Sequence, residues 1–451
     1  MERRLVVLQR RLELASPGSM VNRRLWRVLY GWTAAWGLLT AWGGGYSWHY
    51  LAQGAHLLTH PGPAGAGLHL YASHPDLQIG PLALLLAVPF EALGPTWGKL
   101  LAEAVLTFLG PVLLHVLSAA RQSLTGRRPP PALLLCTGLL VLPVWCQVAT
   151  HFTHLDDALA IAFTCVAALA VAQGRPFGAA LALAAAADSK PWALGFTVLL
   201  LALPTSQRWR SLAVASLGAA FGWLPFVLAD PRTLALGRFS IHNVDNSALR
   251  ALGAHAASTP AWDRPAQLAL GVMVALICVR RGHWAAAPLA VVAARLLLDP
   301  QTYSYYSSGL LMCAALLDML SPKRRMPVWT AVAAAWFLTD YVGGVVLQAE
   351  QRGSLRAMFC VGLLLALCLR GQTGSSPRLR RSPPGESLLS APSAGLVRLD
   401  RQQSAGEDLQ PRTACRGVAT RIGPPHPASQ PIMTPQGART IVHWTQRRRP
   451  N

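Results

Sequence analysis

Apolar residues run along this chain in blocks of about 15–22, and its charged residues gather in short clusters between the blocks. A block of that length, coiled as a helix, crosses a hydrocarbon core of about 30 Å. The first block, near 25–42, follows Arg3, Arg4, Arg10, Arg11, Arg23, Arg24 and Arg27. Lys and Arg accumulate on the cytoplasmic side of membrane helices, so this helix is expected to leave the cytoplasm. It lacks a secretory cleavage pattern and is expected to stay in the chain. No Lys or Arg occurs between Gly43 and Gly80, whereas a later loop carries Arg121, Arg127 and Arg128. The first loop reads as outside and the second as inside.

The signs keep alternating. A helix over 131–150 places 151–157 outside, and one over 159–173 returns to Arg175. An apolar pair broken at Asp188-Ser189-Lys190-Pro191 goes out and comes back to Arg208 and Arg210. A helix over 211–229 emits 230–265, and the next returns to Arg280 and Arg281. Another emerges at 299–303, its successor returns to Lys323, Arg324 and Arg325, and a last pair turns around 348–356. Two apolar runs, 79–93 and 100–119, fall where parity permits one crossing. The second is assigned as the membrane helix. The first, broken by Pro89 and by Gly94-Pro95, is expected to lie at or dip into the outer interface. The fold expected is all-α: a polytopic membrane domain over 27–370 with roughly eleven transmembrane helices and outer loops near 43–80, 151–157, 230–265 and 299–303. A basic cytoplasmic N-terminus (1–26) precedes it, and a basic cytoplasmic tail (371–451) follows.

Composition agrees: 52% of the 451 residues are hydrophobic and 13% charged, more oil than a soluble fold can hide. A net charge of +21 raises nucleic acid as a partner. Arg and Lys in a membrane protein collect where orientation is fixed, so no nucleic-acid partner is expected. The eight cysteines include no CxxC pair and read as small helix residues. After about Gly371 the Ser-Pro, Pro-Pro and Gly-Pro steps and scattered Arg read as a disordered tail that touches anionic lipid.

Polar chemistry gathers on the outer side. The first loop holds His49, His56, His60, His69, His74 and Asp76; the second reads His151-Phe152-Thr153-His154-Leu155-Asp156-Asp157 at the start of a helix. One carboxylate there suffices for an N-cap, so the doublet beside two His also reads as a polar site. Later loops add Arg232, Arg238, His242, Asp245 and Arg250, then Asp299, Gln301, Tyr303, Tyr305 and Tyr306. Moving a sugar from a lipid phosphate to a hydroxyl needs a carboxylate to take the proton. It also needs cations or a metal to stabilise the departing phosphate. Outer Asp beside outer Lys and Arg meets both needs. No cofactor is assigned; a divalent cation has room in this chemistry, although the His spacing matches no tight ligand motif. A transporter or lipid flippase stays open, but it would place ionisable groups near the midplane on facing repeats.

The runs His74-Pro75-Asp76-Leu77-Gln78-Ile79-Gly80-Pro81-Leu82, His154-Leu155-Asp156-Asp157-Ala158-Leu159-Ala160 and Ala187-Asp188-Ser189-Lys190-Pro191-Trp192 carry a resemblance. They resemble the polyprenol-phosphate-dependent glycosyltransferases of the GT-C superfamily, and within it the actinobacterial mannosyltransferase-like membrane proteins of glycosyltransferase family 87. The resemblance covers about 27–370. It implies a plasma-membrane enzyme that takes a hexose, mannose first, from a polyprenol-phosphate donor to a glycan or glycolipid acceptor on the outer face, among membrane lipids. Carried over, Asp76 is the first-loop acid and Asp156 or Asp157 the second. Lys190 is a candidate for the lipid phosphate. Apart from the resemblance, an Arg from Arg232, Arg238 or Arg250 is expected to hold the donor phosphate with it, and His49, His74 and Tyr303 are expected to contact substrate. The family places an acid just after the first helix; here Gly43-Gly44-Gly45-Tyr46-Ser47-Trp48-His49-Tyr50 has none. Either Asp76 or His49 then takes that role, or the protein binds lipid-linked sugar without catalysis.

Overall fold

The computed structural model describes residues 17–60 and 65–370. The basic start up to residue 16, the tail 371–451 and Cys415 lie outside the described residues. The described chain folds as α1 (Pro17–Ala41), α2 (Trp48–Thr59), α3 (Pro81–Glu91), α4 (Gly94–Thr125), α5 (Pro131–Cys146), α6 (Leu155–Ala172), α7 (Pro176–Ser189), α8 (Thr205–Ala229), α9 (Asp263–Arg280), α10 (Ala287–Leu298), α11 (Tyr306–Leu320), α12 (Val328–Val346) and α13 (Ala349–Leu369), with two further short helical turns at Leu70–Ser73 and Ala248–Ala251. Between α7 and α8, Pro191–Ala202 winds as a 3₁₀ helix, and Gln147–His151 continues α5 as a π-helical turn. No strand forms among the described residues, where His242 and Ser258 make an isolated antiparallel bridge.

Six of these helices are long and apolar enough to cross a membrane: α4, α5 with its π-turn, α6, α8, α12 and α13. Helix α8 turns its apolar side chains outward, with Leu217 70%, Phe221 79% and Leu228 74% exposed. Water tolerates single exposed apolar side chains but not a continuous row of them, whereas lipid accepts it. The chain is a helical membrane protein. The block 79–93 forms α3, 11 residues long. At about 1.5 Å per residue it reaches roughly 17 Å, short of a crossing.

Lipid gives helices no hydrophobic reason to associate, so close packing of small residues has to hold them. Helices α6 and α7 pack on each other through Ala-rich lengths in which Ala160, Ala167, Ala179 and Ala186 are fully buried. The loops then meet in two groups of opposite chemistry. Buried Arg121 of α4 donates to the carbonyls of Met319, Ser321, Pro322 and Arg324 at 2.9–3.2 Å, which ties the basic loop after α11 to the end of α4. The sparsely basic loops meet elsewhere. Ser47 N–H donates to Phe152 O, Gly80 N–H to Ser189 O and Val244 N–H to Pro300 O. These bonds join 43–80 to 151–157 and to the α7 corner, and 230–265 to 299–303.

Gly80 is where the first of those loops touches the corner between α7 and the 3₁₀ helix. A Cβ at Gly80 would lie 2.0 Å from the Asp188 carbonyl oxygen, which is backbone and cannot swing aside. Gly80→Ala is therefore expected to destabilise the protein by about 1–3 kcal/mol, the usual cost of overpacking. Thermal unfolding in detergent checks this against Gly362→Ala, where the added methyl meets nothing within 4 Å. Equal melting of the two variants would contradict the packing described.

Candidate functional site

A cavity of about 1230 Å³ opens where the sparsely basic loops meet. Part of its lining is apolar, built from Leu194, Trp223, Val227, Leu234 and Leu268, and three of these, Leu194, Leu234 and Leu268, are exposed. A polar wall carries His154, Asp156, Lys190 and Arg295.

Local backbone chemistry sets that polar wall. The π-turn ends α5, and Thr153 follows at φ 56°, a left-handed conformation that a β-branched residue rarely adopts. Its hydroxyl donates to Glu103 Oε1 at 3.2 Å, and the chain re-enters helix so that Asp156 and Asp157 fall in the first turn of α6. Carboxylates are favoured there by the helix dipole. On the facing side, α7 stops at Ser189, Pro191 cannot continue it, and Lys190 between them turns its ammonium onto Asp156. Lys190 Nζ also lies 3.7 Å from Asp157 Oδ2. Asp157 accepts from Trp192 Nε1 at 3.0 Å and from Arg295 Nη1 at 3.3 Å. Arg295 reaches Asp299 at 3.5 Å, and its guanidinium lies over the rings of Trp192 (4.4 Å) and Tyr306 (4.6 Å). His154 also lines the cavity. Its Nδ1 is 3.2 Å from Asp156 Oδ1, its Nε2 is 2.8 Å from Ser47 Oγ, and its ring stacks on Tyr305.

Electrostatics beyond the helices follow the same pairing. Burial pushes the Asp299 carboxyl up from its usual value, against the pull of the Arg295 guanidinium. Asp230, held by the Arg232 side chain and then by its N–H, is drawn down to about 2.

Of the residues expected to act, the structure brings Asp156, Asp157 and Lys190 into contact, and Asp76 and Tyr303 line the same cavity. Asp76 is exposed and makes no ion pair or side-chain hydrogen bond among the described residues. His49 and His74 are not among the cavity's lining residues; His49 packs against Tyr50 instead. Arg250 is engaged elsewhere, on Asp245 Oδ1 at 3.2 Å and Asn243 O at 3.3 Å. Arg238 ends the turn Pro231–Arg238, and its side chain lies outside the described residues. Sequence reasoning passes over Arg295 and Arg264, both on the cavity wall. Arg295 has a signal, as a lone cation inside the apolar block that forms α10. Ser47 has none.

His154, Asp156 and Asp157 each present one ligand atom, all within 4.8 Å of one another. A divalent cation fits this cluster poorly, because the Lys190 ammonium already sits against both carboxylates and would have to be expelled. No protein-family model matches the chain, nor does any curated protein or solved structure.

Proposed function

We propose that this protein is a membrane glycosyltransferase. It moves a hexose, mannose first, from a polyprenol-phosphate donor to the hydroxyl of a glycan or glycolipid on the outer face of the cytoplasmic membrane. The observation that carries the reading is the pair of cations, Lys190 and Arg295, pinned by Asp156 and Asp157 on the wall of a cavity that is otherwise largely apolar. Fixed cations beside a greasy lining suit a lipid phosphate: the charges stabilise the phosphate as the sugar–oxygen bond breaks, and the lining receives the chain. Asp76 faces the same space, unpaired among the described residues, and takes the proton of the acceptor hydroxyl.

The topology that serves this reading has α1, α4 to α13 and the 3₁₀ helix as twelve crossings, with α2 and α3 on the outer side. An odd number such as eleven cannot return the chain to the side it started from, and both ends are read as cytoplasmic. Twelve can. The short members of this set are longer than α3: α7 has 14 residues, α11 has 15, and α10 joins the turn Trp284–Ala286 before it to run Trp284–Leu298. The 3₁₀ helix rises about 2 Å for each of its 12 residues. The ends of these short members draw the polar wall below the outer membrane surface.

The test is transfer of labelled mannose from polyprenol phosphate by membranes holding equal amounts of each variant. Asp76→Asn is expected to lower transfer by about 10²–10⁴-fold, the usual worth of a positioned base. Lys190→Gln is expected to lower it by about 10²–10³-fold. Full activity in Asp76→Asn sinks the assignment of the base. Donor binding without transfer by the wild type sinks the enzyme and leaves a lipid-binding protein.

Excess EDTA is expected to leave the transfer rate unchanged, since Lys190 holds the position a metal would need. Loss of transfer in EDTA, restored by a divalent cation, would overturn that account of the charges.

A further inference from the structure

Glycosyl transfer leaves Ser47 and His154 on the polar wall without work. Ser47 Oγ, His154 and Asp156 form a continuous relay: Oγ to Nε2 is 2.8 Å, and Nδ1 to Asp156 Oδ1 is 3.2 Å. All three line the cavity. The order is serine hydroxyl, imidazole, buried carboxylate, with the carboxylate on the nitrogen remote from the serine. That is the arrangement by which an imidazole takes a hydroxyl proton and a carboxylate holds its tautomer.

Three features make this more than a hydrogen bond between neighbours. Ser47 is the N-cap of α2, yet its hydroxyl makes no cap to that helix and turns to His154 instead. Its backbone is fixed by a close approach, in which Gly45 N–H donates to Thr150 O and His151 O and Ser47 N–H to Phe152 O. Gly44 permits it, because a Cβ there would stand 2.5 Å from Thr150 O. Two carboxylates also face His154 Nδ1, since Asp157 Oδ2 lies 3.7 Å away without a hydrogen bond of its own. An imidazolium at His154 would be met by both.

We infer that Ser47 is a covalent nucleophile, and that the cavity carries out acyl transfer from a lipid-borne carboxylic ester. The Ser47 oxygen attacks the ester carbonyl carbon while His154 Nε2 takes the hydroxyl proton. The tetrahedral adduct collapses, the ester carbon–oxygen bond breaks, and the departing alcohol takes the proton back from His154. The acyl group, now on Ser47, passes by the same proton route to water or to an acceptor hydroxyl. The adduct forms at the N-cap of α2, where the helix dipole favours negative charge although the N–H groups of Trp48 and Tyr50 already donate to Gly45 O and Ser47 O. The apolar lining of Leu194, Trp223, Val227 and Leu268 takes the acyl chain.

The full chain, purified in detergent, is treated with a fluorophosphonate probe, and the adduct is located by peptide mass spectrometry. Such a probe bonds to an activated serine and releases fluoride, with no sugar donor present, so the result is independent of glycosyl transfer. Labelling is expected on Ser47 and lost in Ser47→Ala. It is expected to slow by about 100-fold or more in His154→Gln, the lower end of what a general base contributes. Ser240→Ala, which removes another serine of the same cavity, should label as the wild type does. Melting temperatures show that each variant is folded. Folded wild type that takes no label on Ser47, or labelling that His154→Gln leaves unchanged, overturns the inference.

Discussion

A carboxylate with no exposure, Asp156, has to be paired, and in this fold Lys190 and His154 pair it. Removing one partner of a buried ion pair costs about 3–5 kcal/mol, because the charge left behind is neither solvated nor opposed. That requirement reaches far along the chain. It holds the end of α7 against the start of α6, and a proline after Lys190 turns the next segment into a 3₁₀ helix. It also places Trp192 where it meets both Asp157 and Arg295. Gly80 then closes the first long loop onto the same corner.

The charges of this wall sit where helix ends favour them. Asp156 and Asp157 occupy the first turn of α6, Arg295 the last turn of α10, and Lys190 caps the C-terminus of α7. Each sign matches the end of the dipole it faces. Capping and function are therefore not rival accounts of the Asp156-Asp157 doublet. The helix termini stabilise the charges, and by converging on one cavity they aim them at the same volume.

Apolar blocks and basic clusters show the helices and their alternation directly, because lipid penalises every exception to the pattern. Asp156, Asp157 and Lys190 are readable for the same reason: charges bordering apolar blocks are costly and conspicuous. Arg250 reads as equivalent in sequence, and only the structure shows it committed to Asp245. Ser47 carries no signal at all, since a serine shortly after three glycines is an ordinary turn. Its place beside His154 depends on a tertiary contact, the hydrogen bonds from Gly45 and Ser47 to the π-turn region, which no local pattern announces.

Access to the cavity then separates the roles that the carboxylates can take. Asp156 is fully buried and already paired with Lys190 and His154, which suits it to orient and neutralise them. Lys190 and His154 keep side-chain exposures of 13% and 17%, enough for each to present a polar edge to the cavity while its other contacts hold it still. Asp76 is exposed and unpaired among the described residues, free to accept a proton. A wall graded in this way, from the sealed Asp156 through the mostly covered Lys190 and His154 to the open Asp76, puts fixed charge and an accessible carboxylate on different residues. The sealed end gives electrostatic preorganisation, and in the glycosyl transfer proposed above the open end takes the proton.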